Sequence, residues 1–222
     1  MHAWTRDFIE LAVEAEALRF GDFTLKSGRK SPYFFNAGQF CDGRTLARLA
    51  DCYADTIADA MAHQGLAFDL LFGPAYKGIP LSAVVAVSLR SRHGVNVPVA
   101  YNRKEMKAHG EGGVMVGAEI RGRVLIVDDV LSGGTAFNEC KPLIEQAGGT
   151  VVGMVVGLDR QERARHSEHS ASGLIRDTGA HLIAVANLAD LIDQLQQAEQ
   201  SSPEQAQHLS AMLAFQSEYG VV

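Results

Sequence analysis

The fold of this chain is decided by residues 124–136, which read Val-Leu-Ile-Val-Asp-Asp-Val-Leu-Ser-Gly-Gly-Thr-Ala. Residues 124–127 form a short, β-branched apolar run, which is typical of a central parallel strand covered on both faces. Asp128 and Asp129 follow at the carboxyl end of that strand, the place where open α/β sheets bind ligands. The stretch therefore predicts both a sheet and the edge of the sheet that carries the site.

The turn after the two acids is rich in hydroxyls and glycine. Ser132, Gly133, Gly134 and Thr135 offer backbone N–H groups and hydroxyls where a helix begins, and such a turn favours a phosphate. Carboxylates beside it accept hydrogen bonds from sugar hydroxyls, so the combination indicates a ribose 5-phosphate. The alternative is an Asp pair that only ends a strand or caps a helix. That alternative does not account for the strand, acids, glycines and hydroxyls together.

Residues 128–136 resemble the motif with which type I phosphoribosyltransferases bind 5-phosphoribosyl 1-pyrophosphate (PRPP). The resemblance implies that the two acids hold the 2′ and 3′ hydroxyls of the ribose while the loop wraps the 5′-phosphate. The implied PRPP residues are Asp128, Asp129, Val130, Leu131, Ser132, Gly133, Gly134, Thr135 and Ala136. The better-known members have Thr and Ala where this chain has Ser132 and Gly133. Because Ser132 keeps the hydroxyl, we expect phosphate binding to survive.

Composition narrows the class of protein. The 222 residues include 20 basic and 26 acidic ones, and the net charge of −6 argues against broad affinity for nucleic acid. Three cysteines without metal-ligand spacing favour a reducing compartment. The N-terminus is charged, unlike a signal peptide, and no apolar run approaches the ~20 residues of a membrane span. We expect a cytoplasmic protein without a membrane partner.

Strand and helix patterns alternate along the chain. Helical patterns cover residues 3–20, 45–63, 79–92, 136–147 and 188–197, with a further helix start at 202–205; strand patterns cover 33–35, 68–72, 97–101, 124–127, 150–158 and 181–186. This order predicts an α/β fold, a doubly wound and mostly parallel sheet flanked by helices. We expect a single domain over residues 1–222, with a core at about 42–186. The ends, about 1–41 and 187–222, would form a small hood.

The acceptor of the phosphoribosyl group should be specified outside the PRPP motif. Residues 23–38 read Phe-Thr-Leu-Lys-Ser-Gly-Arg-Lys-Ser-Pro-Tyr-Phe-Phe-Asn-Ala-Gly. Phe34 and Phe35 are adjacent, so on a strand they point to opposite faces, and one of them can stack on a planar base. With Lys26 nearby, the segment suits a flat aromatic ligand that carries a carboxylate. The alternative is an ordinary aromatic edge strand with solvated lysines.

This segment resembles the N-terminal signature of the orotate phosphoribosyltransferases, where the lysine and the phenylalanine pair contact orotate or PRPP. Arg160, which follows the 150–158 strand, matches the arginine that binds orotate in that family. A planar, bidentate guanidinium suits a carboxylate. The resemblance thus implies an orotate site made of Lys26, Phe34, Phe35, Ser132 and Arg160, and it implies that Lys26 also binds PRPP.

Residues 73–80, Gly-Pro-Ala-Tyr-Lys-Gly-Ile-Pro, end another predicted parallel strand and should lie on the same edge as the two acids. A Gly-Pro turn with accessible amides suits a pyrophosphate, and Lys77 adds charge. The alternative is an ordinary strand-to-helix connection. In the orotate family the matching loop binds PRPP through its Tyr-Lys pair, here Tyr76 and Lys77.

Residues 101–113 form a charged loop that we call the lid loop. Arg103, Lys104, Lys107 and His109 lie within seven residues, and glycines follow them. Such a loop can close over a pyrophosphate and neutralise it, although a solvated charged loop is the usual explanation of a basic run. The orotate family carries the same Arg-Lys-x-x-Lys-x-His pattern in its catalytic lid, which implies that these four residues bind PRPP. That lid reaches the active site of the neighbouring subunit, which implies a homodimer with shared sites.

The predicted activity is transfer of the 5-phosphoribosyl group from PRPP to N1 of orotate, a step of pyrimidine (UMP) biosynthesis. The resemblance assigns catalysis to Asp128, Asp129, Lys107 and His109. Mg²⁺ would be held mainly by PRPP and water, with no dedicated protein ligands. Two alternatives stay open: a type I transferase for another nucleobase, and a PRPP-sensing regulator without activity. His166 and His169 are expected to lie in a solvated loop rather than at a metal, and residues 164–178 carry no predicted role.

Overall fold

The computed structural model describes residues 1–25, 28–105, 114–163, 169–198 and 202–221. The helices are α1 Ala3–Glu14, α2 Gly43–His63, α3 Gly78–His93, α4 Thr135–Gln146, α5 Ala171–Arg176, α6 Leu188–Ala198 and α7 Pro203–Tyr219. The strands are β1 Leu18–Thr24, β2 Lys30–Phe35, β3 Leu70–Gly73, β4 Val99–Asn102, β5 Met115–Gly117, β6 Gly122–Leu131, β7 Gly149–Asp159 and β8 His181–Asn187.

Six strands form the central sheet in the order β5-β4-β3-β6-β7-β8. Every neighbouring pair is parallel except β4 and β5. The predicted α/β fold with a mostly parallel sheet is therefore confirmed. The buried 124–127 run lies in β6 at the centre of the sheet, between β3 and β7. β6 continues to Leu131, so the two acids lie within the strand, near its carboxyl end, rather than after it.

Successive residues of the central strands enter two different cores. Leu125 and Val127 pack into a cluster with α1, α2 and α3, whereas Val124 and Ile126 pack into a second cluster with α4 and α5. This alternation is the reason why the run is apolar at every position: each face of the strand is covered by helices.

The N-terminal helix is shorter than the predicted 3–20 segment. α1 ends at Glu14, Glu16 takes a positive φ of 55°, and the chain then enters β1. β1 pairs with β2 as a two-stranded antiparallel sheet. The prediction failed because Leu18 continues the helical spacing by coincidence, while its burial arises in the hairpin. Strand β5 and helix α5 were not predicted; both are short, three and six residues.

The two ends of the chain contact each other and the sheet. α7 packs against α6 and β2, while α1 lies against α2 and β8. α7 begins as its sequence indicates, because the Ser202 hydroxyl accepts a hydrogen bond from the Gln205 N–H at 3.2 Å and Pro203 occupies the first turn. Among the described residues, no helix is both long and apolar enough to cross a membrane.

Candidate active site

A cavity of about 270 Å³ lies at the carboxyl ends of β3, β4 and β6. Its lining includes six residues that the sequence assigned to PRPP: Tyr76, Lys77, Lys104, Asp128, Asp129 and Ala136. The fold thus brings together Lys77 and Asp129, which are 52 residues apart in the chain. Asn102, Glu139 and Cys140 also line the cavity, and sequence reasoning assigned none of them a role.

The two acids are buried and sit beside one cation. Lys77 Nζ donates to Asp129 Oδ2 at 2.6 Å, and the lysine side chain is 51% exposed. Asp128 Oδ1 accepts the Asp129 backbone N–H at 2.9 Å. The buried Tyr53 hydroxyl donates to the Asp128 carbonyl oxygen at 2.8 Å, which fixes the backbone between the acids. Two buried carboxylates thus line the cavity, and Lys77 binds one of them.

The surroundings of Asp128 shift the pKa of its carboxyl group. Burial and the neighbouring charge of Asp129 raise the pKa of Asp128 to about 7, against a smaller lowering by Lys77. The ionised form of this carboxyl is poorly stabilised within the protein. Hydroxyl donors of a bound ligand would stabilise it, because an ionised carboxylate can only accept hydrogen bonds.

Gly73 and Gly78 allow the 74–77 loop to lie close against β6. A Cβ on Gly73 would lie 2.2 Å from the Gly78 carbonyl oxygen, and one on Gly78 would lie 2.8 Å from the Val127 carbonyl oxygen. Neither position accepts a larger residue, which explains the Gly-Pro-x-x-x-Gly spacing of the motif. Asn102 Oδ1 accepts the Ala75 N–H at 3.1 Å and ties this loop to the end of β4. The Ala75–Tyr76 peptide bond is cis.

The glycine-rich turn leads from β6 into α4. Residues 132–134 bend the chain, and Gly134 caps α4 with φ of 75°, a conformation that favours glycine. Ser132 and Thr135 are exposed, while Leu131 and Gly134 are buried. Of this loop only Ala136 lines the cavity, so Ser132, Gly133, Gly134 and Thr135 stand beside it rather than in its wall.

The phenylalanine pair points in two directions, as its strand position predicts. Phe35 is buried and lines a second cavity of about 250 Å³, whose wall also includes Lys77 and Asp129. Phe34 stacks on Phe23 with a centroid distance of 5.6 Å, on the other face of β2. The ion pair between Lys77 and Asp129 therefore borders both cavities.

Arg160 lies outside the lining of both cavities and is 4% exposed. Its Nε donates to Glu162 Oε1 at 2.5 Å and its Nη2 donates to Ser31 Oγ at 3.0 Å. The guanidinium lies over the Tyr33 ring at 4.1 Å. Arg29 binds the other Glu162 oxygen at 2.7 Å. Sequence reasoning missed Glu162, the residue that connects both arginines.

The lid loop is described only at its two ends. Arg103 N–H donates to the Val114 carbonyl oxygen at 2.7 Å, and Lys104 Nζ lies 5.0 Å from the centroid of the exposed Tyr76 ring. Lys26, Lys107 and His109, which the sequence assigned to the site, lie outside the described residues, as does His166. Within the described ranges, no three His, Cys, Asp or Glu side chains are grouped as a metal site would require.

Comparison with known proteins places this architecture. Residues 45–187 match the family model of the phosphoribosyl transferase domain. The orotate phosphoribosyltransferase of Aeromonas salmonicida is 49% identical over 221 residues, and that of Salmonella arizonae is 48% identical; each comparison covers 100% of both chains. A crystal structure of the Francisella tularensis orotate phosphoribosyltransferase superposes with a TM-score of 0.82 at 39% identity, covering 96% of this chain and 99% of that one. The chain therefore belongs to the phosphoribosyltransferase family and, within it, to the orotate phosphoribosyltransferases.

Proposed function

We propose that this chain transfers the 5-phosphoribosyl group from PRPP to N1 of orotate, forming orotidine 5′-monophosphate and pyrophosphate. The observation that carries the proposal is the Asp128–Asp129 pair, which is buried at the end of β6 and faces a cavity beside Lys77. The family membership supports the same reaction. In the cell this reaction belongs to pyrimidine (UMP) biosynthesis, which we propose takes place in the cytoplasm.

The ribose lies on the two acids. The 2′ and 3′ hydroxyls donate to Asp128 and Asp129, which relieves the repulsion that raises the pKa of Asp128. The turn at 132–135 takes the 5′-phosphate on its N–H groups and hydroxyls at the start of α4. Val130 and Leu131 supply the backbone that connects these two subsites, and Ala136, which follows the turn, lines the cavity.

The pyrophosphate occupies the cavity on the other side of the ribose. Tyr76, Lys77 and Lys104 line it, and Arg103 precedes Lys104 at the end of β4. When the bond from C1 to the pyrophosphate oxygen breaks, these groups stabilise the negative charge that develops. N1 of orotate bonds to C1, and its proton passes to the departing pyrophosphate. The anomeric carbon passes through an oxocarbenium-like state, so orientation of the two substrates is the main contribution of the protein.

Mg²⁺ suits this cavity as an ion that travels with PRPP. The described carboxylates that line the cavity are Asp128, Asp129 and Glu139, and Asp129 already binds Lys77. One or two carboxylates with substrate phosphates and water are the usual environment of Mg²⁺. When bound, the ion neutralises pyrophosphate oxygens, and the protein contributes mainly the shape and charge of the cavity.

The orotate carboxylate is assigned to Arg160, with Phe34 as a stacking surface and Lys26, Phe35 and Ser132 completing the subsite. Arg160 follows β7, and its backbone N–H donates to the Leu131 carbonyl at 3.1 Å, which places it directly beside the 132–135 turn. Glu162 and Ser31 hold its Nε and Nη2, so the remaining guanidinium N–H groups would donate to the orotate carboxylate and distinguish orotate from a base without a carboxylate.

We propose that the enzyme is a homodimer and that Lys107 and His109 of each lid loop act in the partner's site. Support comes from α3, whose buried side is formed by Leu81, Val85 and Leu89 while Ala83 and Val87 lie exposed on the other side. Val87 is 71% exposed. These exposed apolar side chains on the outer side of α3 are suited to contact a second copy of the chain.

The dimer is tested by introducing charge on that patch. Val87→Glu should shift the mass measured by light scattering from two chains to one, whereas Val13→Glu, on the exposed side of α1, should leave two chains. Mixing an Asp129→Asn chain with a Lys107→Ala chain should restore activity above that of either variant alone. Failure of both experiments would remove the homodimer from the proposal.

The terminal segments are proposed to act as a hood on one domain that spans residues 1–222. α7 packs against β2, which carries Phe34 and Phe35, and so connects the C-terminal end to the orotate subsite. The core at about 42–186 carries the PRPP subsites. No nucleic-acid or membrane partner is part of the proposal.

A panel of bases tests the reaction. The chain is incubated with PRPP and Mg²⁺ and with orotate, uracil, adenine, guanine or hypoxanthine, and pyrophosphate release is measured. Orotate should be the only base that supports turnover. Turnover with another base instead would make this a type I transferase of different specificity. Binding of PRPP without turnover of any base would favour the PRPP-sensing regulator.

A further inference from the structure

Asn102 is a cavity residue to which none of the sequence motifs gives a role. It is the last residue of β4, and the antiparallel pairing of β4 with β5 places it opposite Met115. Its side chain lines the same cavity as Lys77 and Lys104. Although Asn102 falls within the first residues of the lid loop, its position is therefore set by the pairing of β4 with β5.

The orientation of its amide group follows from one hydrogen bond. The Ala75 N–H donates to Asn102 Oδ1 at 3.1 Å, and a backbone N–H can act only as a donor. The side-chain oxygen must face the 74–77 loop, which fixes the position of Nδ2. Among the residues that the structure describes, Nδ2 has no protein acceptor. Two donor hydrogens are thus left for a ligand at the cavity.

We propose that Asn102 is a pyrophosphate-binding residue, with Oδ1 fixing the 74–77 loop and Nδ2 donating to a pyrophosphate oxygen of PRPP. The inference rests on the function proposed above. The neighbouring groups Lys77 and Lys104 are donors without acceptor capacity, so the ligand part that fits among them consists of acceptors. Pyrophosphate oxygens are such acceptors, and a hydrogen bond to a charged oxygen is stronger than one to a neutral group.

Two substitutions distinguish the role of the Asn102 side-chain oxygen from that of its nitrogen. Asn102→Asp keeps an oxygen acceptor for the Ala75 N–H but replaces the donor with a negatively charged oxygen. Asn102→Ala removes both interactions. Asn96→Asp is the matched control, because Asn96 is exposed in the loop before β4, away from the cavity, and the change of charge is the same.

The measurement is calorimetric titration of the full-length chains with inorganic pyrophosphate in the presence of Mg²⁺, followed by steady-state kinetics. Loss of one charge-assisted hydrogen bond in Asn102→Ala should weaken pyrophosphate binding about 10-fold. Asn102→Asp should weaken it by about 100-fold, because a carboxylate would face the anion. KM for PRPP should rise in the same order, and KM for orotate should stay within about 2-fold of the wild type for both variants, since neither change touches that subsite.

The order of the two variants decides the outcome. If Asn102 only holds the loop, Asn102→Asp should bind pyrophosphate like the wild type and Asn102→Ala should be the weaker binder, and that order would overturn the proposal. Should the alanine variant fail to fold, equal affinity of Asn102→Asp and Asn96→Asp would overturn it as well. Failure of the proposed function is recognised separately, by absence of orotate turnover in the wild type.

Discussion

The carboxyl ends of β6 and β7 both carry buried charged side chains, but the two strands pair them differently. On β6, Asp128 and Asp129 are adjacent like charges with one half-exposed lysine between them and the solvent. Beyond β7, each oxygen of Glu162 meets its own arginine, at 2.5 Å to Arg160 and 2.7 Å to Arg29.

Aromatic rings complete the network beyond β7. Arg160 lies over Tyr33, and Arg29 lies 4.6 Å from the centroid of Tyr219. Among the described residues, no aromatic ring lies in the same way over the β6 acids. The raised pKa of Asp128 shows that its ionised form is unfavourable beside Asp129 in this buried position. The difference indicates that the β6 group, Asp128 and Asp129, depends on a ligand for its hydrogen bonds. The β7 group, Arg160, Glu162 and Arg29, is paired within the protein, which fixes the position of the Arg160 guanidinium.

The largest effect should come from breaking the β6 group. Asp129→Asn removes a ribose acceptor and the partner of Lys77, and kcat with PRPP and orotate should fall about 1000-fold because the ribose loses its orientation. The free energy of unfolding should change by less than about 1 kcal/mol, since Lys77 is exposed to solvent. A large loss of stability would mean that the acid is structural.

Disrupting the ion pairs of Glu162 beyond β7 should mainly lower the stability of the fold. Glu162→Gln leaves Arg160 and Arg29 without their shared carboxylate, and removing one partner of a buried ion pair should lower the free energy of unfolding by about 3–5 kcal/mol in urea titrations. Glu119→Gln is the control, because its ion pair with Arg121 is exposed on both sides and should contribute less than about 1 kcal/mol. Equal effects of the two changes would contradict the proposed closed network.

The pH dependence of stability sharpens the comparison. An aspartate whose pKa rises to about 7 on folding stays protonated in the folded chain between pH 4 and 7, where the unfolded chain is already ionised. The folded state then binds more protons, so the free energy of unfolding falls as the pH rises through this window. Asp128→Asn should abolish this fall, with no gain near pH 4 and a gain on the order of 2–4 kcal/mol at pH 8.

A control of opposite sign is available at the other end of β6. Hydrogen bonds from Arg123 lower the pKa of Asp69, so its contribution is present at neutral pH and is lost as the pH falls. Asp69→Asn should therefore be less stable than the wild type at pH 8. A stabilising Asp69→Asn, or an Asp128→Asn variant that gains nothing at pH 8, would show that the burial cost of Asp128 has been assigned wrongly.

The smallest effect concerns the aromatic cover of the β7 group. Tyr219→Leu removes the ring over which Arg29 lies, and we expect a loss of about 0.5–1 kcal/mol in the free energy of unfolding. Tyr219→Phe keeps the ring face and should unfold like the wild type in the same urea titration. If both variants lose the same amount, the hydroxyl rather than the ring face is responsible.

The two regions also differ in how much of them the sequence predicts. The β6 acids, the 132–135 turn and the 73–80 loop are local patterns, in which a few consecutive residues carry the chemistry. Glu162 and Arg29 are 133 residues apart, and their pairing depends on how the hairpin meets the segment after β7. Asn102 is a single polar residue at a strand end, and only its bond to Ala75 reveals a role.

The secondary-structure predictions were likewise most accurate where the sequence pattern is local and strong. Long, strongly patterned elements such as α2 and β7 were predicted nearly to their ends. The end of α1 was not, because the apolar spacing continues through Leu18 although the chain has already turned into β1. β5 has three residues, which is too short for a periodic pattern to identify.

The central claim is that Asp128 and Asp129 bind the ribose hydroxyls of PRPP. Equilibrium titration with PRPP and Mg²⁺ in the absence of orotate tests this claim most directly. Wild type, Asp129→Asn and the exposed-pair control Glu119→Gln are compared in one buffer. We predict saturable binding by the wild type and the control, and binding about 100-fold weaker by Asp129→Asn, which loses a charged acceptor of the ribose hydroxyls. Equal PRPP affinity of Asp129→Asn and the wild type would contradict the claim.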